Sequence, residues 1–195
     1  MSKIRIKGDT SGFVDLETSA TGSNLSVTGN ALKVDTINEK TTGNGVAIPG
    51  HVVQAITATF NGSSTSTASL VAMATCGSIT TKFANSKLLV TAAAQLQVGS
   101  STSADTKAQY ALRSSVDSYV SNLHTQVVVN YRDSSSGWQQ AAMPFHILHS
   151  PSASAGTTIT YKIYGNKVSS PQGIYVIDAW GLGAVGKLTI LEIAA

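Results

Sequence analysis

From His51 to the C-terminus, short runs rich in β-branched and aromatic residues take turns with clusters of Gly, Pro, Asn, Asp and Ser. The runs are 52–60, 69–73, 88–98, 108–112, 123–131, 138–148, 157–164, 174–180 and 187–193. Turn signals part them, among them Asn61-Gly62, Gly99-Ser100, Ser150-Pro151, Gly165-Asn166 and Pro171-Gln172-Gly173. Side chains alternate between the two faces of a strand. In the run 157–164, Ile159, Tyr161 and Ile163 therefore share one face, while Thr158, Thr160, Lys162 and Tyr164 share the other. Many short strands with tight turns build a sandwich or a barrel, and this number suits a two-sheet jelly roll. The stretch 104–118 is the one whose composition admits a helix, and we assign its centre to a strand. The expected class is all-β.

The last run, Lys187-Leu188-Thr189-Ile190-Leu191-Glu192-Ile193, departs from strict alternation at Ile190-Leu191. An adjacent apolar pair fits a bulge or a strand covered on both faces. A terminus of this kind frays unless a sheet holds it, so we expect it inside a sheet. The second apolar face then needs cover, and a neighbouring subunit is a natural source. Tyr161, Ile163, Leu188, Ile190, Leu191 and Ile193 are the candidate subunit-interface residues.

Residues 1–50 differ from the remainder. Their five basic side chains (Lys3, Arg5, Lys7, Lys33, Lys40) balance five acidic ones (Asp9, Asp15, Glu17, Asp35, Glu39), and Phe13 is their one aromatic residue. Short alternating pieces recur at 3–7, 13–17, 24–27, 32–37 and 45–48, punctuated by Gly and Asn. So short a segment with so few large side chains cannot bury a core of its own. We expect a β-rich arm that stacks on its own copies or docks on a larger body, followed by a head domain over 51–195.

Charged residues make up 12% of the chain, about half the usual share. The net charge of +3 is spread singly, without the basic stripe of a nucleic-acid binder. No run approaches the ~18 apolar residues of a membrane helix, and the polar–apolar start Met1 to Lys7 lacks the apolar core of a secretory signal. We expect cytoplasmic synthesis, no nucleic acid and no membrane insertion. The lone cysteine, Cys76, makes no disulfide within the chain and reads as a small buried hydrophobe.

Motifs for chemistry are sparse. No Gly-x-Ser-x-Gly elbow and no Walker lysine motif occur. Gly181-Leu182-Gly183-Ala184-Val185-Gly186 matches a dinucleotide-binding string, but it leads into a strand. Without a helix N-terminus nothing cradles a pyrophosphate, so it reads as a turn. His146 and His149 stand three apart, which on a strand places them on opposite faces and argues against a zinc pair. No two of Asp105, Asp117, Asp133, Asp178 and Glu192 form an obvious pair, as glycoside hydrolysis needs. We expect no cofactor, no metal and no enzymatic activity. All the tyrosines and tryptophans lie after His51. The polar loop flanked by aromatics, with Tyr131, Arg132, Asp133 and Trp138, is the candidate recognition loop, because such rings stack on sugars.

Three stretches carry a resemblance. Lys3 to Leu16 resembles the start of structural proteins from phages of marine bacteria, cyanobacterial podoviruses among them. Val34 to Val46 resembles a repeat of phage fibre and tail proteins. His149-Ser150-Pro151, then Thr160-Tyr161-Lys162-Ile163, then Leu188-Thr189-Ile190-Leu191-Glu192-Ile193 resembles their C-terminal jelly-roll module. That module often carries Val-Tyr-Ile-Asn before its last turn, where this chain has Ile174-Tyr175-Val176-Ile177-Asp178. The resemblance implies a tailed-phage virion protein: a homotrimeric fibre or spike with a head like the tumour-necrosis-factor and C1q jelly rolls. Residues 1–50 would join it to other virion proteins, and the head would meet a host surface glycan or protein. A capsid decoration protein is the alternative, and a polysaccharide-acting enzyme the lesser one.

Overall fold

The computed structural model describes residues 5–6, 14–15, 49–100, 105–130, 137–169, 173–176 and 185–195. The chain forms two compact units, Met1–Asn38 and Glu39–Ala195. In the first, β1 (Arg5–Ile6) pairs antiparallel with β2 (Val14–Asp15), Arg5 opposite Asp15 and Ile6 opposite Val14. Apart from residues 49–50, the rest of the predicted arm lies outside the described residues.

The second unit holds the remaining strands: β3 (Val52–Phe60), β4 (Ser64–Thr65), β5 (Val71–Thr80), β6 (Lys87–Ser100), β7 (Thr106–Ser114), β8 (His124–Asn130), β9 (Gly137–His149), β10 (Thr158–Ser169), β11 (Gly173–Val176) and β12 (Gly186–Ile193). A 3-10 turn, Ser115–Asp117, follows β7. The strand reading of 104–118 therefore holds over its centre. The pair β4 was missed, because two residues show no periodicity.

Two antiparallel sheets result. One runs β5-β10-β7-β8. In the other, β6 is the spine. Along one side it pairs with β9 from Leu88 to Ser100. Along the other it pairs first with β12, from Lys87 to Ala93, and then with β11, from Leu96 to Gly99. β3 flanks β12, and β4 flanks β11. If β3, β5, β6, β7, β8, β9, β10 and β12 are taken in chain order as eight main strands, one sheet reads first-eighth-third-sixth. The other reads second-seventh-fourth-fifth. This is the strand order of a jelly roll, as the sequence suggested.

The core lies between the sheets. β6 contributes Leu88, Val90, Ala92, Leu96 and Val98, and facing it stand Tyr110 and Leu112 from β7 and Ile159, Tyr161 and Ile163 from β10. β12 adds Leu188 and Ile190 and lies between β3 and β6, so the C-terminal strand is held in a sheet as expected. Alternation breaks where β5 bulges. Tyr161 is opposite Gly77 but Lys162 is opposite Thr75, which leaves Cys76 as the extra residue. The bulge turns Cys76 into the core, 1% exposed, and gives Gly77 a φ of +146°. Burial pushes the Cys76 thiol up to about 12, which fits the inert, structural cysteine read from the sequence.

Candidate binding surfaces

The six candidate interface residues divide by strand register. Tyr161, Ile163, Leu188 and Ile190 are fully buried within one chain. Their surface is already used by the facing sheet, so they have none to offer a second subunit. This corrects the sequence reading. Leu191 and Ile193 stand on the opposite, outward face of β12 and are half-buried.

The unexpected member of β12 is Glu192, whose side chain is buried on the core side with Leu188 and Ile190. Its carboxylate accepts the backbone N–H groups of Lys82, at 2.9 and 3.0 Å, and of Phe83, at 3.1 Å. It also accepts the Gln54 side-chain amide, whose nitrogen in turn reaches the Thr80 carbonyl at 2.7 Å. A buried charge persists only where donors surround it. Here those donors are the orphan amides of the turn after β5, so Glu192 closes one end of the sandwich.

Leu191 belongs to a larger surface. Register across the second sheet aligns Ala55, Leu191, Leu89 and Leu148 in one row on its outward face. Thr57, Thr189, Thr91 and His146 form the next row, and Thr59, Lys187, Ala93 and Pro144 a third. Leu89 and Leu148 are 39% and 52% exposed. Among the outward residues of β3, β12, β6 and β9, Lys87 and Lys187 are the only charged ones, and no acidic residue is present. Two open depressions mark the face. One of about 450 Å³ is lined by Thr57, Thr59, Lys187 and Thr189, and another of about 360 Å³ by Ala93, Gln95, Ala142 and Pro144. His146 Nδ1 shares a 2.9 Å hydrogen bond with Thr91 Oγ1 on this face. His149 turns the other way and shares a 2.8 Å bond with the Tyr161 hydroxyl. The two histidines thus lie on opposite faces, as their spacing required.

The other sheet presents a different exterior. β5, β7, β8 and β10 contain no Asp or Glu but carry Lys107, Arg113, Lys162 and Lys167. Arg113 on β7 and Lys162 on β10 are direct cross-strand partners. Two tyrosines stand with them. The Arg113 guanidinium lies 4.9 Å from the ring centroid of Tyr164, and the Lys162 ammonium 4.5 Å from that of Tyr119. The two rings are 6.1 Å apart and tilted by 34°. The loop that brings Tyr119 here is bent by two successive left-handed residues, Ser118 at φ 58° and Tyr119 at φ 63°. Such a conformation costs an L-residue roughly 1–2 kcal/mol. Arg113 holds the bend, donating to the Tyr119 carbonyl at 2.7 Å and to Asn122 Oδ1 at 2.7 Å. Asp117, the carboxylate of this loop, is taken up by Ser121. Hydrogen bonds from that residue's hydroxyl and its backbone N–H, the latter at 2.8 Å, hold the acid below the usual carboxylate range. Sequence reasoning missed the cluster. Lys162 and Tyr164 share a face by alternation, but the positions of Arg113 and Tyr119 beside them follow from strand pairing and from the bend.

The candidate recognition loop is not open to the same reading. Tyr131, Arg132 and Asp133 lie outside the described residues, as does Asp178. Trp138 occupies the start of β9 opposite Gly99. Among the described residues no group of three or more His, Cys, Asp or Glu side chains is arranged to hold a metal ion, and no helix is long and apolar enough to cross a membrane. No family model matches the chain, and no curated protein matches it.

Proposed function

We propose that the chain is a structural protein of a tailed-phage virion, acting as a homotrimeric fibre or spike whose jelly-roll domain is the projecting head. Residues 1–50 would then join it to the particle. The observation that carries this reading is the contrast between the two exteriors of the sandwich. The outward face of β3, β12, β6 and β9 carries mainly Leu, Ala, Thr, Gln and Pro side chains, with His146, two lysines and no acid. A sheet face with an exposed Leu89–Leu148 row and only two charges is suited to packing on its own copies, since little charge has to be desolvated on contact. The cationic exterior would then point outward. The three sequence stretches that resemble phage fibre and tail proteins, with the jelly-roll strand order, supply the virion part of the reading. Three heads on one particle gain avidity through effective concentration even where each contact is weak.

Light scattering on the full chain tests the assembly. The expected mass is three times the 20.1 kDa of one chain, falling to the monomer in the Leu89→Asp/Leu148→Asp double variant. A wild-type monomer at tens of micromolar would refute the trimer. Immunogold labelling of purified particles tests the virion assignment and separates positions: gold on the tail supports the fibre, gold on the shell the decoration alternative, and particles without gold refute both.

A further inference from the structure

The cationic exterior holds an arrangement that strand pairing by itself disfavours. Arg113 and Lys162 sit directly opposite one another on neighbouring strands, and like charges in that position destabilise a sheet. Among the described residues neither is paired with a carboxylate. Arg113 donates to two neutral oxygens, and among the described residues the Lys162 ammonium meets the Tyr119 ring. This chain is sparing with charge, with 12% of residues ionised, yet it spends two cations side by side. The strained bend at Ser118-Tyr119 exists where it brings a ring under one of them.

We propose that Arg113, Lys162, Tyr119 and Tyr164 form a binding site for the acid group of a saccharide bearing carboxylate or sulfate. The two rings hold the two cations in place before a ligand arrives, which lowers the ordering cost of binding. Arg113 Nε and Nη1 donate to Asn122 and Tyr119, so the Nη2 side of the guanidinium and the Lys162 ammonium beside it are the groups that meet an oxyanion. The hydroxyls of Tyr119 and Tyr164 make no hydrogen bond among the described residues, which leaves both to meet sugar hydroxyls, while ring edges meet the apolar face of a pyranose. Two cations are too few for nucleic acid, where affinity comes from many phosphate contacts. The inference does not rest on the trimer, because a monomeric head presents the same face.

The test is titration calorimetry on the full chain with trigalacturonate, its neutral methyl ester and tri-aspartate, at low and at physiological salt. The expected result is millimolar or tighter binding of trigalacturonate, at least tenfold weaker binding of the ester and of tri-aspartate, and a salt-dependent affinity. Lys162→Gln and Tyr164→Leu should each weaken trigalacturonate at least tenfold, while Lys162→Arg retains it. Unchanged circular dichroism would show that the variants are folded. No heat up to about 10 mM, or affinity untouched by Lys162→Gln, overturns the site. Equal binding of tri-aspartate overturns the saccharide and leaves only a general attraction for acids.

Discussion

Replacing Glu192 by Ala should destabilise the sandwich more than its position near the C-terminus suggests. Three donors converge on the carboxylate: the amides of Lys82 and Phe83 and the side chain of Gln54. Each hydrogen bond to a charged group is worth about 1.5–3 kcal/mol, and a buried donor left without a partner costs about 1–3 kcal/mol. Against this, removing the buried charge relieves its desolvation. Counting the two backbone amides alone, at the low end of that range, gives about 3 kcal/mol. At a urea dependence of about 2 kcal/mol per molar, the unfolding midpoint falls by about 1.5 M. Glu192→Gln keeps one acceptor oxygen for the amides and should lose less. A double-mutant cycle with Gln54→Ala should show coupling, because the two side chains share a hydrogen bond. A Glu192→Ala loss below about 1 kcal/mol, or one no greater than that of Glu192→Gln, would refute the account of Glu192 as the acceptor for the turn amides.

Three further outcomes follow from the core. A Cβ at Gly77 would stand 2.9 Å from Leu188 Cδ2 and 3.1 Å from the Ala58 Cβ, at a φ of +146°. Gly77→Ala should therefore cost about 1–3 kcal/mol in chemical unfolding, whereas Ser78→Ala on the exposed side stays within about 0.5 kcal/mol. The Cys76 thiol is raised from 9.0 to about 12 by burial. The unfolded chain therefore ionises first, and the stability this group confers is whole below pH 9 and declines as pH rises toward 12. Its slope of about 1.4 kcal/mol per pH unit should be absent in Cys76→Ala, and thiol labelling of the wild type should be slow until denaturant is added. Burial holds His149 below its ordinary 6.5, with Asp117 opposing. Its contribution is accordingly present above pH 6.5 and is lost as pH falls below it. His149→Phe should remove that acid-side component from unfolding curves. It should also cost about 1–3 kcal/mol at neutral pH, because the buried Tyr161 hydroxyl loses its partner.

The all-β class and most of the strands were legible because alternation is local. In β3 the expected run 52–60 coincides with the observed Val52–Phe60, and in β12 Leu188 and Ile190 turn inward as their spacing required. Ends were less legible. β5 runs to Thr80, well past the expected end at Met73, because the bulge at Cys76 and Gly77 interrupts the alternation that would have extended it. The interface residues misled because an apolar side chain looks the same in a sequence whether its own second sheet or another subunit covers it. For Tyr161, Ile163, Leu188 and Ile190 the cover is the chain itself.

By itself the sequence determined that this chain makes strands and turns, that its one cysteine is a core residue, and that His146 and His149 face apart. Each of these depends on composition or on the two-residue period of a strand. Only the tertiary structure decided which faces meet. Pairing of β7 with β10 sets Arg113 against Lys162 across a gap of forty-nine positions in the chain (162 − 113), and a left-handed bend delivers Tyr119 to them. Pairing of β12 with β3 brings Gln54 to Glu192 and so supplies a partner to a buried acid. Such long-range partners follow from strand order and register, which the energy of the whole core selects and no short stretch of sequence encodes.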